Sequence, residues 1–324
     1  MVRPVWSGET DVVYDGKEHS LTATVSVDLG NGTKQQLAVY YDNNSFVNAG
    51  EHTVTVYLED TKNYEFPQNS AFYTKTLNIR QQAVTITWDD VSEVEYDGKY
   101  YSRKATIRGA ADNKELSGFS YVNSQSYRDA GTYTYEIYDL NNDNYTLYGV
   151  TNKTATLNIK KQRVEIVWSG NEVYTYTGEK HTMTASVKGL IDGEDLSGYY
   201  ELNSVKEFYN AGEYTATIAN FNHKNYTIEG CIGDLSATAV INRIDVTIVW
   251  SNTEFIYDGL SHTVTATVTD SYGNVIDEYS YYNTTRYTNT ATAVGDYTAR
   301  LRFNNSTNYN IVSGNTYCSW SIVQ

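Results

Sequence analysis

Histidines, clustered carboxylates and tyrosines are the residues of this chain that could do chemistry. Five histidines could ligate a metal or serve as general bases. His19, His181 and His262 each lie five positions after a Tyr in a recurring turn, with Tyr101 in the same slot once. His52 occupies a second recurring slot, and only His223 falls outside the pattern. Residues that mark separate repeats do not converge on one centre, so catalysis or metal binding by histidine is not expected. The run Asp139-Leu140-Asn141-Asn142-Asp143-Asn144-Tyr145 puts oxygen side chains at positions 1, 3 and 5 of a calcium-type loop. Position 6 is Asn144 instead of Gly and position 12 is Val150 instead of Glu, so a solvated hairpin loop is the expectation. There is no phosphate cradle, no nucleophile elbow and no partnered carboxylate pair. The chain reads as a non-enzyme, with no cofactor and no metal.

Tyrosine is the remaining lead. The chain has 32 Tyr, 5 Trp and 8 Phe in 324 residues. Tyr and Trp join a rigid apolar face to a polar edge, which suits protein interfaces and sugar platforms. Period-two alternation turns Val54, Val56, Ile137, Ile218 and Leu301 inward, and so Tyr57 and Tyr138 outward, with Ala219 and Arg302 in the same slot later. The same count on the preceding strand makes Tyr40 and Tyr200 outward candidates. These four tyrosines are the candidate ligand-binding residues.

The elements that must position them form a repeat. Trp6, Trp88, Trp168 and Trp250 end β-type runs. Turns follow at Tyr14-Asp15-Gly16, Tyr96-Asp97-Gly98, Tyr176-Thr177-Gly178 and Tyr257-Asp258-Gly259, which sets a period of about 81 residues. Ala49-Gly50, Ala130-Gly131, Ala211-Gly212 and Val294-Gly295 keep step, as do Asn63-Tyr64, Asn144-Tyr145, Asn225-Tyr226 and Asn308-Tyr309. Four modules follow: 1–80, 81–160, 161–242 and 243–324. Each is long enough to bury its own core.

Val, Ile, Thr and Tyr alternate in short runs such as Val84-Thr85-Ile86-Thr87-Trp88, and no amphipathic helical window exists. The fold class is therefore all-β, with about seven short strands per module. Asp129-Ala130-Gly131-Thr132-Tyr133 has the form of a tyrosine corner, repeated at Tyr214 and Tyr297, with His52 in its place in the first module. Where an immunoglobulin domain has its second cysteine stand Val54, Tyr135, Ala216 and Ala299. Four tandem immunoglobulin-like β-sandwich modules without the inter-sheet disulfide are expected. Cys231 and Cys318 occupy non-equivalent positions and read as two free thiols. The seams Ile79 to Val84, Ile159 to Val164 and Ile241 to Val246 contain no Gly or Pro, so a stiff, elongated array on the order of 150 Å long is expected.

The order Trp, Tyr-Asp-Gly, Ala-Gly-x-Tyr-Thr, Asn-Tyr, Leu-x-Ile resembles the MBG/YDG-type repeats of bacterial cell-surface proteins. Tyr14-Asp15-Gly16, Asp129-Ala130-Gly131-Thr132-Tyr133, Asn144-Tyr145 and Leu157-Asn158-Ile159 carry the resemblance, which covers all four modules. Thr177 for Asp, Val294 for Ala and His52 for Tyr are departures. The resemblance implies a repeat of extracellular adhesins or wall-attached proteins, and it leaves a β-grasp-like module as the alternative topology. It transfers no functional residue.

A net charge of −15, with no basic run longer than Lys160-Lys161, excludes nucleic acid and anionic membranes as partners. No run is apolar enough for a transmembrane helix, and no signal-peptide pattern opens the chain. It ends at Ile322-Val323-Gln324, where a fifth module would begin, and so reads as a piece of something longer whose missing leader says nothing of location. The expected role is a monomeric, extracellular segment of a bacterial surface or cell-wall adhesin. Its partner would be a host surface protein (mucin, matrix or immunoglobulin) or a glycan. A bare spacer, or carbohydrate-binding modules of a polysaccharide-degrading system, are the alternatives.

Overall fold

The computed structural model describes residues 1–30, 32–203 and 207–324. It divides into two compact units, Met1–Lys161 and Gln162–Gln324, each holding two repeats. Among the described residues there is no α-helix, and the only helical turns are 3-10 turns at Ser70–Phe72, Ser197–Tyr199 and Ser306–Asn308.

The second repeat shows the plan. In one sheet, Gln82–Trp88 runs antiparallel to Ala105–Gly109, which pairs on its far side with Glu115–Leu116. Tyr145–Thr146 joins parallel to the start of Gln82–Trp88. The chain then crosses to a second sheet, where Glu93–Glu95 lies parallel to Thr154–Lys160. Thr154–Lys160 is antiparallel to Gly131–Asp139, which pairs with Ser120–Tyr121. The repeat thus has two sheets, the second ordered 93–95, 154–160, 131–139, 120–121, an all-β sandwich as expected. The second sheet recurs with the same order in the other three repeats. Among the described residues, both strands of every ladder belong to one repeat.

Alternation builds the core. On Gly50–Leu58, Val54, Val56 and Leu58 are buried while the residues between them are not. Val54, Tyr135, Ala216 and Ala299, in the place of the missing cysteine, are each 0% exposed, so close packing occupies the disulfide's site. Each Trp lies opposite an Ala across its ladder: Trp6 and Ala23, Trp88 and Ala105, Trp168 and Ala185, Trp250 and Ala266. Three of the four indoles donate to a loop carbonyl: Trp88 to Asn152, Trp168 to Asp234 and Trp250 to Asn315, at 2.8–3.0 Å. The tyrosine corners are formed as the spacing predicts. Tyr133, Tyr214 and Tyr297 donate to the carbonyls of Asp129, Asn210 and Ala293 at 2.7–2.8 Å. His52 Nε2 reaches the Asn48 carbonyl at 2.8 Å, so the imidazole reproduces the bond of the phenol it replaces.

Within each unit the core runs through the seam. Val12, Tyr14, Leu21, Leu77 and Ile79 of the first repeat pack in one cluster with Val84, Ile86, Leu140 and Tyr145 of the second. In the other unit, Tyr176, Phe208 and Ile241 join Ile244, Ile248, Leu301 and Tyr309. The Tyr of each turn is tied by its amide to the end of its own repeat: Tyr14 to Arg80 and Tyr176 to Asn242, at 2.8 and 2.9 Å.

Candidate functional site: the module joints and the outer sheet face

The residues that punctuate the repeat build the joint between modules. In Met1–Lys161, Asn144 Oδ1 accepts the Ala49 N–H at 2.7 Å, and its Nδ2 donates to Asn48 at 3.1 Å. The Tyr14 ring meets Tyr145 edge-on at 5.3 Å, and Gln82 Nε2 donates to the Tyr14 carbonyl at 2.6 Å. In Gln162–Gln324 the asparagine and tyrosine contacts recur, with Ile244 in the place of Gln82. Asn308 Oδ1 accepts from Ala211 N–H at 2.8 Å, and Tyr176 meets Tyr309 edge-on at 5.6 Å. Glu278 accepts from both hydroxyls there, from Tyr309 at 2.7 Å and from Tyr176 at 3.2 Å. Burial first, and then the facing carboxylate of Asp112 or Glu278, push the Tyr145 and Tyr309 phenols well above their ordinary range.

The histidines take structural positions. His19 and His262 pair with Asp15 and Asp258 of their own turns at 3.0 and 2.9 Å, and Tyr101 donates to Asp97 at 2.8 Å in the equivalent slot. Thr177 stands where the acid would be in the third repeat, and His181 stacks on Tyr174 at 3.9 Å. His223, which lies in a loop, is buried against Tyr199 and Tyr226 and accepts the Asn225 N–H through Nδ1. Among the described residues no three His, Cys, Asp or Glu side chains form a group that could hold a metal ion. In the calcium-like run, Asp139 accepts the Asn141 N–H, Asn142 accepts the Asn144 N–H, and Asn144 serves the joint.

The outer face of the second sheet differs among repeats. In the first, Tyr40 and Tyr57 stack at 5.1 Å, and Tyr57 donates to Asp42 at 2.8 Å, a bond that raises its pKa. Tyr40 is exposed and Tyr57 half-buried. In the second, Tyr138 is exposed, 58%. Tyr200 corrects the outward assignment: it is half-buried, and its hydroxyl donates to the Ala185 carbonyl at 2.7 Å. Tyr41, Tyr121 and Tyr281 likewise turn their hydroxyls to Ala23, Ala105 and Ala266. Tyr200 is thus the third repeat's inter-sheet tie. The counterpart of Tyr40 is Glu201, which faces Ala219 as Tyr40 faces Tyr57, so Tyr200 lies one position off the outer slot and on the side of Leu202, opposite buried Ile218.

One constellation was not expected from the sequence. In the fourth repeat the Arg300 guanidinium lies over the rings of Tyr282, Tyr287 and Tyr317, at 5.1, 5.5 and 5.2 Å from their centroids, with Arg286 over Tyr287 at 5.5 Å. Arg302, two positions along the strand Gly295–Phe303, shares this outer face, because Leu301 and Phe303 between and beyond them point inward. Module-by-module comparison of aligned positions was the signal available. Arg300 faces Tyr317 across the ladder where the other repeats pair Thr55 with Thr74, Glu136 with Thr154, and Thr217 with Ser236.

Fold and joints together define a tandem all-β protein whose punctuation is structural and whose outer sheet faces vary. No protein-family model matches the chain, and no curated protein matches it. Among solved structures it is similar to domains 4–9 of the surface layer protein SbsC, at 10% identity and a TM-score of 0.26, covering 100% of this chain and 66% of that one. A likeness of that size carries no inference about this chain. Among the described residues no helix is long and apolar enough to cross a membrane.

Proposed function

We propose that this chain is a non-enzymatic segment of a bacterial cell-surface protein of the adhesin type, built from MBG/YDG-like repeats. It carries binding faces for a host surface protein or a glycan on a framework of interlocked modules. The joint is the observation that supports this reading. Asn144 and Asn308, with their tyrosines, connect one module to the next, so the repeated residues serve continuity and leave the outer faces free to diverge. Divergence there, from stacked tyrosines in the first repeat to arginine and tyrosine in the fourth, is what a scaffold presenting different ligand surfaces requires.

Two measurements test it. Antibody to the chain should label intact cells of the source bacterium, and should lose that label after brief external protease treatment. The purified chain should be retained by mucin, matrix protein, immunoglobulin or an arrayed glycan more than a control protein of equal charge. Label confined to lysed cells would remove the surface assignment. Surface label with no retention on any of these would leave a spacer.

A further inference from the structure

We infer that the outer face of the fourth repeat, centred on Arg300, is a binding site for an anionic sugar, a pyranose carrying a carboxylate or sulfate. The inference deepens the surface-binding reading and rests on it for the ligand's source, though not for its chemistry.

Charge placement is the first argument. The chain's net charge is −15, and residues 243–324 contain only four basic side chains, Arg243, Arg286, Arg300 and Arg302, against seven Asp and Glu. Three of those four arginines gather at one face, and none of the three forms an ion pair with a described carboxylate. In the other unit, Arg80 pairs with Asp11 and Arg108 with Glu115 at the surface. A cluster of unpaired guanidinium groups is a site of positive potential that favours an external anion.

Replacement in concert is the second argument. Three positions that are neighbours across one sheet face change together on an unchanged backbone. In the second repeat they are Val122, Glu136 and Thr154; in the fourth they are Tyr282, Arg300 and Tyr317. The Val122 N–H to Glu136 carbonyl bond and the Tyr282 N–H to Arg300 carbonyl bond are both 2.8 Å, which fixes the equivalence. Packing does not call for the change, because the same sheet closes in the other repeats without it.

Ring geometry selects the ligand class. Tyr282 and Tyr317 are 40% and 41% exposed, so each has ring surface left over after contact with Arg300. Exposed aromatic faces take the C–H faces of a pyranose, while a guanidinium fork takes a carboxylate or sulfate by paired N–H···O bonds. The rings hold Arg300 in place, which lowers the entropy lost on binding. An extended acidic peptide would use the arginines without needing the ring surface.

The test is isothermal titration of the full chain with an oligogalacturonate, a heparin-derived oligosaccharide, a neutral maltooligosaccharide and oligoglutamate, at low and high salt. Binding of one of the two anionic sugars is expected, weakened at high salt, with the neutral sugar silent. Which one binds identifies carboxylate or sulfate. Arg302→Ala and Arg286→Ala, both at exposed positions, should each weaken binding about five- to tenfold, and the pair together more. Tyr148→Ala, at an exposed ring of the second repeat, should change nothing. Arg302→Lys keeps the charge without the fork and should fall between. Circular dichroism of each variant separates lost binding from lost folding. Absence of binding to both anionic sugars, equal binding by the folded Arg302→Ala and Arg286→Ala chains, or tighter binding of oligoglutamate would each overturn the assignment. None of these results bears on whether the protein is displayed on the cell, which the labelling experiment decides.

Discussion

Asn308 reaches out of its own repeat to close on Ala211, ninety-seven positions earlier, accepting that residue's N–H at 2.8 Å while its Nδ2 donates to Asn210 at 3.0 Å. At 1% exposure the amide is sealed from water, so neither bond has a solvent substitute.

Asn308→Ala should therefore destabilise Gln162–Gln324 by about 1–3 kcal/mol, the cost of an abandoned buried donor together with the lost side-chain bonds. Asn308→Asp, which buries a carboxylate facing the Asn210 oxygen, should lose at least as much near neutral pH. Urea denaturation of the full chain followed by tryptophan fluorescence measures both. Wild-type midpoints for both variants would mean that the joint contributes nothing to stability.

Stability should fall above pH 10. Tyr145 and Tyr309 have pKa values raised in the folded state by burial and by Asp112 and Glu278. The folded chain therefore holds protons that the unfolded chain releases near pH 10, and their contribution, full below that value, is lost as pH rises toward the folded pKa. Tyr309→Phe should flatten the alkaline limb of a melting-temperature profile. A profile unchanged in slope would contradict the assignment.

The acid side has a different owner. The Lys99 ammonium beside Asp97, aided by the Lys99 N–H and the Tyr101 hydroxyl, holds the Asp97 carboxyl down at about 2 against a partial desolvation. Its contribution is present above about pH 4 and lost as pH falls through 2. Asp97→Asn should lower stability at pH 6 while leaving stability at pH 2 near that of the parent chain, as followed by thermal melts at the two pH values.

Gly314 sits at φ +84° with the Ile248 carbonyl oxygen 2.1 Å from where a Cβ would be. Gly314→Ala should cost more than about 1 kcal/mol, from backbone strain and the clash together. Gly273→Ala, at φ +88° but with open space around it, should cost less. Equal losses would show that the conformation, and not the close approach, decides.

What was legible in the sequence was what is local. The corner bond from Tyr133 to Asp129 spans four residues, and the tie from His19 to Asp15 spans four, so each can be read from spacing within one turn. Strands were legible through alternation, as in Gly131–Asp139, where Tyr135 and Ile137 are buried and Tyr138 is not. The joints were not. Asn144 and Asn308 are visible as markers, but their partners lie 95 and 97 residues away, and a period says that positions are equivalent without saying which of them touch. The Arg300 cluster was hidden for a related reason. Its members come from 282, 287, 300 and 317, and reading one slot for tyrosine makes Arg302 look like a loss when it belongs to a new surface. Tyr200 shows the limit of counting by twos: an alignment slipped by one position, with Glu201 the true counterpart of Tyr40, exchanges the faces.

Each of the two joints, one within each unit, takes its asparagine and second tyrosine from the later repeat and its Ala-Gly corner and first tyrosine from the earlier one. Every repeat carries the marker residues of both halves in its sequence, with Val294 for Ala in the fourth. Unequal recombination that copies one whole period of about 81 residues therefore inserts a segment already fitted at both ends. A gene of this kind can grow or shrink by whole periods without new compensating mutations, whereas a deletion of any other length strands an amide and a pair of rings. Length becomes a trait that drifts in quanta, and natural variants of this protein should differ by complete repeats.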